Sequence, residues 1–228
     1  MFSESDKVRV GTIVLCGGGS TRMGFDKSRL VLGEQSFLER IIRAVAPFSM
    51  RTVVVGASVE DFEYLQDTVL EGVTITADQN RDHGPLEGIR AGLESLGNTV
   101  DVAFVTSCDV PLIKGEVIDE LCRSLGRFEA VVPVRGKRTF GLTALYRPSA
   151  LERIEQMVSS GRLKVALLAT ELNANRISID SLRNVDPELD SITNINSIED
   201  YADLLKRFSQ PLPPEIQAKI DADGNGRG

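Results

Sequence analysis

The 228-residue chain reads as an α/β protein, a Rossmann-like three-layer αβα domain with a mostly parallel sheet. Three observations predict this. Short apolar, β-branched runs alternate with stretches of helical spacing through the first half of the chain, and such alternation demands parallel strands joined by crossover helices. The runs are apolar nearly throughout, as in strands covered on both faces. Several stop at a glycine or an acid, at the carboxyl ends where such sheets gather their ligands.

The elements follow in order. Val10 to Cys16 is an apolar run ending in glycines and reads as a buried strand. Ser36 to Pro47 carries Phe37, Ile41, Ile42 and Val45 at helical spacing, with Ser36 as N-cap and Glu39 three residues on. Thr52 to Val55 is a second strand, Val59 to Val69 looks helical, and Val73 to Thr76 is a third strand. Leu86 to Leu96 is a helix that Pro85 can start. Val100 to Cys108 is a strand and Ile113 to Leu125 a helix. Glu129 to Val134 and Leu142 to Arg147 are further strands. Helices are expected at Ser149–Val158 and Leu163–Glu171, a late strand at "NRISI", and a last helix at Ser197–Phe208. The domain is therefore expected over residues 8–208. Residues 209–228, polar and rich in Pro and Gly, read as a disordered tail.

Composition narrows the function. With 33 acidic and 26 basic residues the net charge is −7, which argues against coating nucleic acid or an anionic membrane. No apolar run approaches the roughly 18 residues of a membrane span. The opening "MFSESDKVRV" lacks a signal-peptide pattern. Cys16, Cys108 and Cys122 are far apart and odd in number, without metal-ligand spacing; Cys16 and Cys108 end apolar runs and read as small buried residues. The expectation is a reducing cytoplasm.

The chemistry starts at "VLCGGGSTRMGFDKSRL", Val14 to Leu30. It follows the first strand, its glycines can turn backbone N–H groups toward a phosphate, and Arg22 and Lys27 supply cations. A dinucleotide fingerprint fails here because Arg22 stands where the third glycine is needed. A P-loop fails because Phe25 and Asp26 separate Gly24 from Lys27-Ser28. The stretch resembles instead the signature L-x-G-G-x-S-x-R-M-G-x-x-K of nucleotidyltransferases in the molybdenum cofactor guanylyltransferase group. Leu15, Gly17, Gly18, Ser20, Arg22, Met23, Gly24 and Lys27 all match it. The resemblance implies a loop that wraps a nucleotide triphosphate.

Three later segments agree. Asp78 follows the third strand, and Gly84-Pro85-Leu86-x-Gly88 breaks the chain and opens a helix able to present N–H groups to a ligand. The resemblance puts this acid and this segment around guanine and ribose; the other reading of Asp78 is a solvated turn residue. Asp109 ends the strand "VDVAFVTSCD", where one carboxylate with substrate phosphates suits Mg²⁺, and the related enzymes carry a D-x-P segment there. Asn194 and Asn196 alternate in "ITNINSIEDYADLL", similar to the family's N-x-N-T-P-E-D, although Ser197-Ile198 replaces Thr-Pro. Local turn chemistry is the other reading of each. Ser197 with Asp200 comes close to a capping box.

The resemblance implies transfer of GMP from GTP to the terminal phosphate of molybdopterin, with release of pyrophosphate. It makes Arg22, Lys27 and Asp109 catalytic, with Asp109 holding Mg²⁺. It makes Leu15, Gly17, Gly18, Lys27, Asp78, Gly84, Pro85, Leu86 and Asp109 ligands of GTP. Arg162 and Lys164, in "SSGRLKVALLA", are candidate cations for the acceptor, together with Asn194 and Asn196. Molybdenum-insertion or molybdoenzyme-maturation proteins would be partners. Phe140-Gly141 stands where the family often has His-Pro, which leaves the pterin pocket unassigned. Rival readings are a molybdopterin cytidylyltransferase, a cobinamide-phosphate guanylyltransferase, or a nucleotide-binding regulator without turnover. The tail segment "DADGNG" copies half of a calcium loop and stops before the acid at its twelfth position.

Overall fold

A computed structural model describes residues 8–17, 25–65, 72–78 and 84–225, with side chains described to 221. The strands are β1 (Val10–Leu15), β2 (Val31–Leu32), β3 (Gln35–Ser36), β4 (Arg51–Gly56), β5 (Val73–Ala77), β6 (Val102–Ser107), β7 (Ala130–Arg135), β8 (Arg138–Thr139), β9 (Ala144–Tyr146) and β10 (Ala174–Ser178). The α-helices are α1 (Phe37–Val45), α2 (Gly84–Leu96), α3 (Glu116–Arg123), α4 (Ala150–Ser159), α5 (Leu168–Glu171), α6 (Ile198–Arg207) and α7 (Pro214–Asn225).

The main sheet runs β10-β7-β9-β6-β1-β4-β5, with β8 folded back on β7. β1 lies between β4 and β6 and is parallel to both. The chain moves outward from β1 to β4 and β5, then crosses back to β6 on the other side. That reversal is the switch point where such sheets open a ligand crevice. β9 is antiparallel to both neighbours, and β7 with β10 resumes the parallel direction beyond it.

Strand alternation splits the core in two. Val10 and Val14 of β1, Val54 of β4, Val102 and Phe104 of β6 and Leu145 of β9 face α1 and α3. Ile13 and Leu15, Val53 and Val55, Ala103 and Val105, and Tyr146 face α2, α4 and α5. α1 starts on a complete capping box. Ser36 Oγ accepts from the Glu39 N–H at 3.2 Å, and the Ser36 N–H donates to Glu39 Oε2 at 2.8 Å. α2 lies unusually close to β1. A Cβ on Gly92 would fall 2.5 Å from Ile13 Cγ2, and one on Gly88 3.0 Å from Leu15 Cδ2. Two glycines one turn apart on α2 thus supply close helix–strand packing.

The structure departs from the sequence reading in several places. The stretch read as a helix from Val59 is a 3₁₀ segment, Glu60–Leu65, and residues 66–71 lie outside the described ones. The helix expected at Leu163–Glu171 is a 3₁₀ turn, Val165–Leu167, followed by the single turn α5. Cys16 and Cys108 are half-buried rather than buried. The β2–β3 hairpin and β8 were not anticipated.

The largest difference is the tail. Residues 210–225 do not trail away: α7 docks, with Ile216 2 % exposed and Leu212 and Ile220 partly buried. Ile216 and Ile220 lie four residues apart and so on one face of α7, and Leu212, just ahead of the helix, joins them. They join a third cluster, outside both faces of the sheet, with Phe25, Leu30, Leu32, Phe37, Ile195, Ile198, Tyr201, Leu204 and Leu205. The Tyr201 hydroxyl closes it by donating to the Val31 carbonyl at 2.7 Å.

Gly92→Val places branched carbons where Ile13 already stands and should lower the unfolding free energy by about 1–3 kcal/mol, the usual cost of overpacking a dense core. Urea denaturation followed by circular dichroism measures it. A variant as stable as the parent would show that α2 can back away from β1 freely.

Candidate functional site

Three strands end level, and their next residues form a rim. Register pairs Leu15 of β1 with Val55 of β4 and Ser107 of β6. Ladder-like bonds continue one step further: the Cys16 N–H donates to the Val55 carbonyl (2.7 Å), the Cys108 N–H to Leu15 (2.9 Å), and the Asp78 N–H to Gly56 (2.9 Å). Gly17, Asp78 and Asp109 therefore emerge together, just past the carboxyl ends. A Cβ on Gly17 would lie 3.6 Å from Asp78 Oδ2, so that carboxylate rests against the Gly17 backbone. Leu15 and Leu86 are core side chains, 6 % and 0 % exposed, and can offer a ligand only their backbone. Gly84 opens α2 at a left-handed φ of 64°, followed by Pro85 in the first turn, where a missing N–H costs nothing.

A polar chain links Asp109 to residues far away in sequence. Asp109 Oδ1 accepts from Ser107 Oγ at 2.5 Å and from Asn194 Nδ2 at 3.0 Å. Its Oδ2 stands 3.5 Å from Lys27 Nζ, which donates to Asn196 Oδ1 at 2.9 Å. The Lys27 and Asp109 side chains are only 14 % and 17 % exposed, so the pair is less screened than a surface salt bridge. The predicted Lys27, Asp109, Asn194 and Asn196 thus converge on one spot. Gly18, Arg22 and His83 lie outside the described residues.

Each member is held by its own neighbours. Asp26 caps the 3₁₀ turn Lys27–Arg29: its Oδ1 accepts from the Ser28 N–H at 2.9 Å and from Ser28 Oγ at 2.7 Å. Ser28 is buried and receives the Tyr64 hydroxyl at 3.2 Å, while Arg29 stacks over the Tyr64 ring at 4.3 Å. On the other side, the capping box of α6 fixes Asn196, because Asp200 Oδ2 accepts from the N–H groups of both Asn196 (2.8 Å) and Ser197 (2.9 Å). The segment leading to Asn194 is pinned by the fully buried Asp186, which accepts from the Ser191 N–H at 2.8 Å and pairs with Lys114 at 3.1 Å. Sequence reading missed Asp26, Ser28, Tyr64, Ser107 and Asp186. Only Asp26-x-Ser28 carried a local signal, that of a side-chain cap.

Two groups near the rim have displaced acidities. Burial pushes the Cys16 thiol well up, and contact with Cys108 adds to it, so Cys16 stays a neutral thiol and not a nucleophile. Burial also pushes the Tyr64 hydroxyl up to about 12, against the opposing effect of its bond to Ser28.

Beyond the asparagines lies a cavity of about 440 Å³ lined by Arg135, Arg138, Phe140, Arg183, Asn194 and Asn196. Arg138 stacks on the Phe140 ring at 4.8 Å. The candidate Arg162 is placed differently: it sits past the end of α4 and is engaged by Glu171 at 2.7 Å and Ser160 at 3.1 Å. Lys164 precedes Val165, which lines a smaller neighbouring cavity with Arg138 and Phe140.

The chain is similar to several known proteins. The family profile described as "MobA-like NTP transferase domain" matches residues 12–174. A probable molybdenum cofactor guanylyltransferase of Mycobacterium marinum is 34% identical over 179 residues, 76% of this chain and 86% of that protein. One from Methanosarcina mazei is 30% identical over 203 residues, 85% and 88% of the two chains. The crystal structure of molybdopterin-guanine dinucleotide biosynthesis protein A from Archaeoglobus fulgidus superposes with a TM-score of 0.73 at 27% identity, covering 87% of this chain and 98% of the other. Among the described residues, no helix is long and apolar enough to cross a membrane.

The Tyr64 acidity gives a pH prediction. The folded state holds this proton more tightly than the unfolded chain, whose tyrosines titrate near 10. The contribution is therefore complete below pH 10 and is lost as pH rises toward about 12. Tyr64→Phe should lose less stability than the parent across that window, as read from urea midpoints. Parallel declines would place the proton elsewhere.

Proposed function

Because this chain belongs to the MobA-like NTP transferase family and is a nucleotidyltransferase, we propose that it transfers GMP from GTP to the terminal phosphate of molybdopterin, releasing pyrophosphate. The observation that carries this reading is the convergence of Lys27, Asp109, Asn194 and Asn196 at the carboxyl ends of the parallel strands. The names of the relatives support the choice of substrates.

The nucleophile in this reading is a phosphate oxygen of the acceptor, already anionic, so no protein nucleophile or base is needed. It forms a bond to the α-phosphorus of GTP while the bond to the β-phosphate oxygen breaks, and the charge leaves with pyrophosphate. Catalysis is then positioning and charge neutralisation. Lys27, already held against Asn196, meets the growing charge of the leaving group; Arg22 is assigned the same task. Gly17, Gly18 and the start of α2 at Gly84 to Leu86 supply backbone N–H groups, and Asp78 accepts from the N1–H and amine of guanine. Asn194 and Asn196 face the acceptor.

The donor set at Asp109 suits Mg²⁺. Its Oδ1 is taken by Ser107 and Asn194, while Oδ2 lies 3.5 Å from Lys27 Nζ. One hard carboxylate oxygen alongside substrate phosphates is a common arrangement for this ion. When bound there, Mg²⁺ would neutralise phosphate charge.

For the acceptor, the cavity of Arg135, Arg138 and Arg183 opens directly from Asn194 and Asn196. A flat guanidinium stacked on Phe140 offers a face for a pterin ring and donors for its anionic substituents. Arg162 and Lys164 remain the outer candidates. The assigned chemistry belongs in the cytoplasm, with molybdenum-insertion and molybdoenzyme-maturation proteins before and after it.

A pyrophosphate-release assay tests the reading. GTP with molybdopterin should give turnover, CTP and ATP little, and Lys27→Ala should slow the reaction by about 10²–10³, typical for losing one contact to developing charge. Turnover with CTP instead would make the protein a cytidylyltransferase; turnover undiminished in Lys27→Ala would remove the lysine from the mechanism. Arg138→Ala with Arg183→Ala should raise the KM for molybdopterin about tenfold or more, given the strength of charged hydrogen bonds, and leave the Kd for GTP unchanged. A loss shared equally by both ligands would put these arginines outside the acceptor site.

A further inference from the structure

The third apolar cluster belongs to neither face of the sheet. The two sheet cores draw on nothing beyond Ile192, so α7 contributes to neither. Its apolar residues pack instead with Phe25, Leu30 and Leu32, which bracket Lys27, and with Ile195 and Ile198, which bracket Asn196. Both ends of the Lys27–Asn196 hydrogen bond are therefore carried by segments that meet in this cluster. α7 touches the lysine-bearing segment in a second way: Lys219 Nζ lies 4.8 Å from the centroid of the Phe25 ring, two residues before Lys27. The matched family region ends at residue 174, so this helix is additional to it.

We infer that α7 is a positioning element for the nucleotide site, holding the Phe25–Leu32 segment so that Lys27 meets the triphosphate, with Lys219 on Phe25 and Ile216 in the cluster as its two points of purchase. This rests on the reading of Lys27 as a triphosphate ligand. A helix that served stability alone would be expected to enlarge one of the sheet cores. α7 packs instead into the cluster that carries both ends of the Lys27–Asn196 bond, and among the described residues Lys27 is the cation that pairs with Asp109.

The test uses the full-length protein. Lys219→Ala and Ile216→Ala should each weaken GTP binding in calorimetry by about three- to tenfold, the range of a lost cation–π contact or a partly collapsed apolar site. Molybdopterin binding should not change. Lys219→Arg keeps a cation over the ring and should restore parental GTP affinity. The decisive readout is a double-mutant cycle. If α7 acts through Lys27, Lys219→Ala should have no further effect on GTP affinity in the Lys27→Ala background. Unchanged GTP binding in Lys219→Ala, or an equal loss whether or not Lys27 is present, overturns the inference. Should Lys27→Ala alone leave GTP affinity and turnover intact, the reading of the site fails instead, and the two failures are told apart.

Discussion

The parallel register of β1 with β4 and β6 is the constraint on which the rest of this molecule depends. With β5 in register on β4, it brings these strand ends to one rim, so that Gly17, Asp78 and Asp109 emerge along it although they come from distant parts of the chain. A slip of one residue would shift a strand by about 3.3 Å and turn every side chain to the opposite face. The two-faced core forbids that slip. Ile13 and Leu15 fit only against the glycine face of α2, and Val10 and Val14 only against the opposite layer. Specificity of register, a property of packing, thus becomes precision in the placement of charge.

On this frame the site is assembled from groups that differ greatly in how firmly they are held. Asp109 hangs directly from the sheet, two residues past a wholly buried strand, with Ser107 from the same strand bonded to it. Asn194 and Asn196 belong to a connection fixed by a buried acid at one end and a helix cap at the other. Lys27 belongs to a three-residue turn with Tyr64 on one side and the α7 cluster on the other. The order is chemically sensible. A carboxylate proposed to hold a metal needs fixed geometry, whereas a lysine acting as a point charge tolerates a flexible stem.

What the sequence disclosed follows the range of the forces involved. Both capping boxes were readable because Ser36 with Glu39 and Ser197 with Asp200 are three residues apart. The strand ends were readable because burial on both faces leaves a continuous apolar run, and Asp109 marked itself by ending one. The arginine-lined cavity was not readable: Arg135, Arg138 and Arg183 are ordinary polar positions until β7, β8 and the 3₁₀ segment Ile179–Asn184 bring them together. The partner of Arg162 was hidden for the same reason, since nothing local announces that Glu171 will engage it. The tail misled because composition weighs residues and ignores their placement; Ile216 and Ile220 on one helix face, with Leu212 ahead of it, suffice when a hydrophobic surface awaits them.

The reversed strand β9 has a consequence for how the chain comes off the ribosome. Once Ser107 has emerged, β5, β4, β1 and β6 can pair, yet β6 then shows a bare edge that only β9 will cover. β7 is made earlier than β9 and cannot take that place in the finished sheet. The nascent protein must therefore carry an open, apolar edge, Val102 to Ser107, until Tyr146 is synthesised. Such an edge is a template for pairing with other chains. In the mature sheet the outer strands are β5 and the Arg176-bearing β10, both short and partly polar. The hazard of aggregation is thus concentrated in the interval of translation between two residues and is governed by elongation speed, while the finished protein is largely spared it.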